Sequence, residues 1–239
     1  MRLSGKNILV VGVGPGLGTA TAYMLLKDGA NVAAVARKEE HLEKVKETLS
    51  EPANLLCIAA DASSMEGAQK ITKAVAEKFD GVDGIALLAG SYAKSPMGSM
   101  TEDTVDAMVS ANLKAPLYVL NSILPLLKGN SSVVMVSSVF GTYKISSGNV
   151  AYAAVKAGVA KATESLAHEL VGKGIRVNAV APNSMDPGFE PGREWRSRRK
   201  LGDPTCPPED VASVIAWLMT EEASWVSGAV IPVDGGAKK

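Results

Sequence analysis

Little in this sequence speaks for a metal, a disulfide framework or a charged macromolecular partner. It has only two cysteines, Cys57 and Cys206, far apart and without CxxC spacing or a nearby histidine. That argues against a cysteine-held metal and against a disulfide scaffold. Net charge is missing too: 25 Lys and Arg residues balance 25 Asp and Glu residues. No global field gathers nucleic acid or anionic lipid, so neither is expected as a partner. Long hydrophobic runs are also lacking. The opening Met1-Arg2-Leu3-Ser4-Gly5-Lys6 leads into a short apolar run that ends in glycines, unlike a signal peptide or a membrane span. The expectation is a cytoplasmic protein with no membrane partner. The only two histidines, His41 and His168, read as solvated helix positions and receive no role.

What is present is a chain of 239 residues, 46% of them hydrophobic, enough to build one large core. Short Val/Ile/Ala-rich runs alternate with longer amphipathic segments, the pattern of repeated βαβ units. Strands are predicted near 7–13, 31–36, 55–60, 84–89, 132–137, 175–181 and 230–233, with helices between them. The fold class expected is α/β: a Rossmann-like, doubly wound, mainly parallel seven-stranded sheet with helices on both faces. One domain over 1–239 is expected, with a substrate lid at 183–207, where proline is frequent and periodicity fails.

Gly12-Val13-Gly14-Pro15-Gly16-Leu17-Gly18 lies between the first strand and a helical segment. Glycines permit a tight turn and let backbone N–H groups approach a pyrophosphate at a helix N-terminus, where the dipole favours anions. Gly12, Gly14, Gly16, Leu17 and Gly18 are therefore candidate cofactor contacts. The second strand ends in Ala36-Arg37-Lys38, where an NAD site would place an acid on the ribose hydroxyls. The Arg37 fork suits a 2′-phosphate and Lys38 adds a second charge, so NADP(H) is favoured over NAD(H).

Tyr152 and Lys156 stand four apart in an alanine-rich segment that favours helix, which puts both on one face. A free phenol has a pKa of about 10. A neighbouring ammonium group is expected to favour the phenolate and fit it for proton transfer. Ser138 follows a Val- and Met-rich strand, at the edge where open α/β sheets bind ligands, and its hydroxyl can bond a substrate carbonyl.

Together these residues resemble the short-chain dehydrogenase/reductase family over nearly the whole chain. Gly12, Gly16 and Gly18 match its glycine signature, and Ser138, Tyr152 and Lys156 match its Ser and Tyr-x-x-x-Lys signatures. The resemblance implies that Asp61, followed by Ala62, contacts adenine. It also implies that Ala89, Gly90 and Pro182 border the cofactor, with Tyr152 and Lys156 contributing to its binding. Asn112 would hold a water against the lysine, completing a proton relay. Departures stand at Val11 for Thr, Leu87-Leu88 for Asn-Asn, and Pro182-Asn183 for Pro-Gly, the last beside the nicotinamide. The three-residue gap between Tyr152 and Lys156 is unlike the enoyl reductase branch, which places six between them.

The activity so implied is hydride transfer between a nicotinamide and a small-molecule ketone or secondary alcohol. One alternative is a 3-oxoacyl-thioester reductase, with Arg193, Arg196, Arg198, Arg199 and Lys200 receiving a phosphate-bearing carrier. Another is a non-catalytic NADP(H)-sensing or interaction protein. Tyr92, Phe140, Tyr143, Met185, Phe189 and Trp195 are candidates for the substrate pocket or for the core. A homotetramer built on the helices bearing Asn112 and Tyr152 is implied, with Leu117, Leu120 and Leu166 as apolar contacts.

Overall fold

In the computed structural model, which describes residues 1–145 and 147–237, the first half of the chain alternates strand and helix as its hydrophobic pattern predicts. β1 (Asn7–Val11), β2 (Asn31–Ala36), β3 (Leu55–Ala59) and β4 (Val82–Leu87) are separated by α1 (Leu17–Lys27), α2 (Glu39–Thr48) and α3 (Met65–Ala76). After β4 come α4 (Glu102–Val109) and α5 (Ala115–Ile123), then β5 (Leu127–Val136) and the single-turn α6 (Val139–Thr142). The long α7 (Val150–Leu170) leads to β6 (Arg176–Pro182), and α8 (Pro208–Leu218) to β9 (Val230–Val233).

The central sheet has the order β3-β2-β1-β4-β5-β6-β9, with all pairs parallel. Parallel strands linked by helices must be covered on both faces, and β1 shows how the sequence achieves this. Leu9 and Val11 enter one core with Ile71, Val119 and Val159, while Ile8 and Val10 enter the other with Leu25 and Ile215. Every β1 residue is buried, which explains a continuous apolar run where one-sided strands alternate.

Strand order reverses between β1 and β4, so the loops leaving their C-terminal ends diverge and open a crevice. Gly12 sits at its base with φ +96°. A Cβ there would lie 2.4 Å from the Ala89 nitrogen. Only glycine lets the ends of β1 and β4 approach so closely.

Two of the departures from the family pattern, at the ends of β1 and β4, are absorbed by packing. Val11 and Leu87 are buried in one core and Leu88 packs against the other, so apolar burial stands where Thr and Asn would have hydrogen-bonded.

The stretch 183–207 is less irregular than its sequence suggests. β7 (Ser184–Met185) and β8 (Thr205–Cys206) pair in parallel and close its base. Two-residue strands are too short to leave a periodic signal. Among the described residues, no helix is long and apolar enough to cross a membrane.

Candidate active site

A cavity of about 440 Å³ opens along the C-terminal edge of β1, β2 and β4. Gly12, Gly14, Arg37, Lys38, Asp61, Ala62, Ala89 and Gly90 all line it, so eight positions chosen from sequence converge on one space. Gly18 instead lies beneath the turn: a Cβ there would meet Val13 Cα at 2.5 Å, which makes it a packing glycine. Gly16 caps α1 without a side-chain bond and Leu17 begins the helix, leaving backbone N–H groups of the first turn for an anion.

Asp61 accepts hydrogen bonds from the backbone and hydroxyl of Ser63 at 3.0 and 2.7 Å. These bonds, with a smaller contribution from Arg37, hold its carboxyl below the ordinary carboxylate range. His41 lines the same cavity beside Arg37 and Lys38. It stands in the first turn of α2, four residues after Arg37, with a half-exposed side chain in keeping with a solvated helix position.

The candidate reacting residues lie at the ends of β5 and β6 and on α7. Lys156 is 4% exposed, and its ammonium donates to the Val136 carbonyl at 2.8 Å. The same nitrogen stands 5.7 Å from the centre of the Tyr152 ring. Ser137 fastens α7 to the sheet by donating to the Lys156 carbonyl at 2.8 Å. At Gly141 in α6 a Cβ would fall 2.5 Å from the Lys156 carbonyl carbon, so α6 and α7 touch backbone to backbone.

Ser138 caps α6, accepting from the Phe140 N–H at 3.3 Å, and its hydroxyl also hydrogen-bonds Tyr152. It further donates to the Pro182 carbonyl at 3.5 Å, bringing the end of β6 to the same point. Tyr92, which sequence did not separate from the core candidates, meets Tyr152 edge-on at 5.1 Å.

Asn112 is found in a five-residue π-helical stretch, Ser110–Lys114, between α4 and α5. Such wide turns recur at functional sites. Its amide nitrogen donates to the Ser91 and Met108 carbonyls, both at 2.9 Å. The amide oxygen is buried without a partner. A Cβ on Gly90 would be 2.7 Å from that oxygen and 3.6 Å from the Lys156 ammonium, so the missing side chain leaves a gap between them.

The electrostatics correct one expectation. Lys156 was expected to pull the phenol down. Instead burial raises the Tyr152 pKa, against an opposing hydrogen bond from Ser138. Burial also pushes Lys156 down to about 8. Desolvation is the leading cause of both shifts. A phenol so placed holds its proton, which suits an acid.

The basic segment differs from expectation as well. Arg193 forms a two-pronged ion pair with Glu209, one arm measuring 2.7 Å, and Arg199 binds Asp210 at 2.9 Å. Trp195 donates to Asp210 at 3.2 Å. These groups tie 193–199 to the start of α8, and Arg196 lies over the Trp195 ring. The Arg198 side chain lies outside the described residues. Phe189 is buried against Tyr23 in a small core cluster, away from the cavity beside β1 and β4. Leu120 is likewise inside the main core, whereas Leu117 and Leu166 are half-buried.

A family profile described as Enoyl-(Acyl carrier protein) reductase matches residues 12–238. A 3-oxoacyl-(acyl-carrier-protein) reductase of Thermotoga maritima is 36% identical over 99% of this chain and 99% of its own length. Levodione reductase of Leifsonia aquatica is 33% identical, covering 98% of this chain and 95% of its own. Among solved structures, a short-chain dehydrogenase from Burkholderia cenocepacia in complex with NADP superimposes with a TM-score of 0.88 at 30% identity, covering 100% of both chains.

Proposed function

This chain belongs to the short-chain dehydrogenase/reductase family and is an oxidoreductase of carbonyl and alcohol groups, and on that premise we propose that it is a cytoplasmic NADP(H)-dependent reductase of ketones, with Tyr152 as proton donor. The observation that carries this reading is the meeting of Ser138, Tyr152 and Lys156 beside Gly90, which itself lines a cavity whose walls suit a dinucleotide.

The fit to the cofactor rests on the walls themselves. Gly14 has open space where its Cβ would be, and the first turn of α1 offers unshielded N–H groups beside it. Those N–H groups and Gly12, Gly14, Gly16 and Leu17 would hold the pyrophosphate, with Gly18 packing the turn beneath them, and Arg37 and Lys38 would hold the 2′-phosphate. Asp61 and Ala62 would receive the adenine, with Ala89, Gly90 and Pro182 bordering the rest. When bound, NADP(H) supplies or accepts the hydride. The relative in complex with NADP supports this cofactor.

Ser138 donates a hydrogen bond to the substrate oxygen and orients it. Tyr152 delivers its hydroxyl proton to the same oxygen during reduction and takes it back during oxidation. Lys156 and the Asn112 amide oxygen hold a water in the gap beside Gly90, which reprotonates Tyr152. The orphaned Asn112 oxygen supports that water, since a buried acceptor left unpaired costs about 1–3 kcal/mol. Lys156 also binds the nicotinamide ribose. Residues 183–207 cover the substrate as a lid within the single domain. Half-buried Leu117 and Leu166 contribute to a homotetramer; light scattering at four times the chain mass would support it.

A second reading, reduction of 3-oxoacyl thioesters, is favoured by the Thermotoga relative. With Arg193 and Arg199 engaged, the carrier's phosphate would fall to Arg196 and Lys200. Following NADPH absorbance with acetoacetyl thioester beside a panel of plain ketones separates the readings. Turnover of plain ketones alone supports the first, and preferred turnover of the thioester supports the second. Cofactor binding without turnover of any carbonyl would identify a sensing protein.

A further inference from the structure

The charge at the adenosine end of the cavity is closely balanced. Arg37, Lys38, His41 and Asp61 line it, and Ser63 joins them. From α2, the Glu40 carboxylate lies 3.4 Å from the Lys38 ammonium and 3.9 Å from His41 Nε2. From the loop after β3, Asp61 faces Arg37. Arg37 and Lys38 thus already have Asp61 and Glu40 as counter-charges before a cofactor arrives. A phosphate carrying nearly two negative charges would enter a neutral set, unless one more positive charge appears. The imidazole is the group there that can supply it, because histidine changes charge between about pH 5 and 8.

We propose that His41 is a third ligand of the cofactor's 2′-phosphate and that protonation of its ring makes preference for NADPH over NADH dependent on pH. The proposal rests on the NADP(H) reading above. Binding of NADPH takes up a proton onto His41, drawing the ring away from Glu40 towards the phosphate. NADH has no phosphate at this position and takes up none there. The first turn of α2 also presents its positive dipole end to the same anion.

Two titrations oppose one another here, which makes the effect separable. A phosphate monoester gains its second proton near pH 6, and that weakens its hold on fixed cations. Protonating His41 strengthens the hold.

The test is the Kd of NADPH and of NADH, read from nicotinamide fluorescence, for the wild type and His41→Gln at pH 8.5 and 6.5. Circular dichroism checks the fold, which a half-exposed side chain is not expected to disturb. In the wild type, the ratio of the NADH to the NADPH Kd should rise about 3- to 10-fold as pH falls, corresponding to up to about one pKa unit of coupling. His41→Gln should remove the rise and leave NADH unaffected. A NADPH preference that is flat with pH, or rises equally in His41→Gln, overturns the role of His41 while leaving the cofactor reading intact. Absence of NADPH preference at both pH values removes both.

Discussion

Tyr92 and Tyr152 meet edge to face, their ring centres 5.1 Å apart at 90°, and the Tyr92 hydroxyl donates to the Asn149 side chain at 2.8 Å. Asn149 caps α7, the helix that carries Tyr152. One residue thus shields the reacting ring and steadies the start of its helix. Aromatic pairs of this geometry contribute about 0.5–1.5 kcal/mol beyond burial. Tyr92→Leu is expected to lower kcat about 3- to 10-fold and, by admitting water to Tyr152, to move the apparent pKa of kcat/KM downward. Tyr92→Phe keeps the ring and should leave that pKa in place. An unchanged pH profile in Tyr92→Leu would show that Tyr92 does not shield the phenol.

Lys156 should trade stability for function. Its pKa is about 8 in the fold because burial disfavours the charge, against about 10.4 for a free lysine. Between these values the unfolded chain binds more protons than the folded one, so stability rises with pH from about 8 to 10.4. Below pH 8 the full cost of the buried charge remains. Lys156→Met should abolish turnover yet raise stability at pH 7 by about 1–3 kcal/mol, less whatever the Val136 carbonyl loses with its donor. That advantage should shrink towards pH 10. Urea unfolding at pH 7 and pH 10 measures both, and a variant equally or less stable than wild type at pH 7 would contradict this.

The glycines of the turn should separate folding from binding. At Gly18 a Cβ would lie 2.5 Å from Val13 Cα and 2.6 Å from the Gly12 carbonyl oxygen, while at Gly14 nothing lies within 4 Å. Gly18→Ala is expected to lower the unfolding midpoint markedly, by about 2 kcal/mol or more, since backbone must shift. Gly14→Ala should fold with wild-type Tm but raise the KM for NADPH about tenfold or more, because its methyl group occupies the approach to the phosphates. Equal Tm values for the two variants would contradict this division.

The fold was legible because the inner strands are buried on both faces, as β1 is throughout, and the helices between them alternate with these apolar runs. β2 and β9 end where their apolar runs end. β5 begins five residues earlier than its hydrophobic pattern, at Leu127, which pairs with Val82 before an irregularity carries the strand past the polar Lys128-Gly129-Asn130 to regular pairing from Ser132. Within the site, residue types with one dominant use were readable: the glycine turn, Arg37, and Tyr152 with Lys156. Tyr92 and the Arg193–Glu209 pair were not, because their partners lie on other elements or depend on which way a loop turns. The direction of the Tyr152 shift was misjudged for a related reason, since spacing reports proximity and not desolvation.

The anchor of the proposed lid can be tested through Arg193. Glu209 is 1% exposed and Arg193 is its ion-pair partner. Arg193→Ala leaves a buried carboxylate uncompensated, a change that typically costs about 3–5 kcal/mol. Arg199→Ala uncovers the more accessible Asp210 and should cost about 1 kcal/mol. Protease cleavage within 183–207 should accelerate in Arg193→Ala before global unfolding. A similar loss in both variants would mean the buried pair is not the main anchor.

The most direct test of the account is Tyr152→Phe, assayed by NADPH absorbance with a ketone that the wild type reduces and by fluorescence for NADPH binding. Removing the hydroxyl takes away the proton donor while preserving the ring against Tyr92. The account predicts a fall in kcat of at least about 10²-fold, the lower range for a positioned acid, with NADPH binding within a few-fold of wild type. Equal turnover in the two proteins would contradict the assignment of Tyr152 as the group that protonates the substrate.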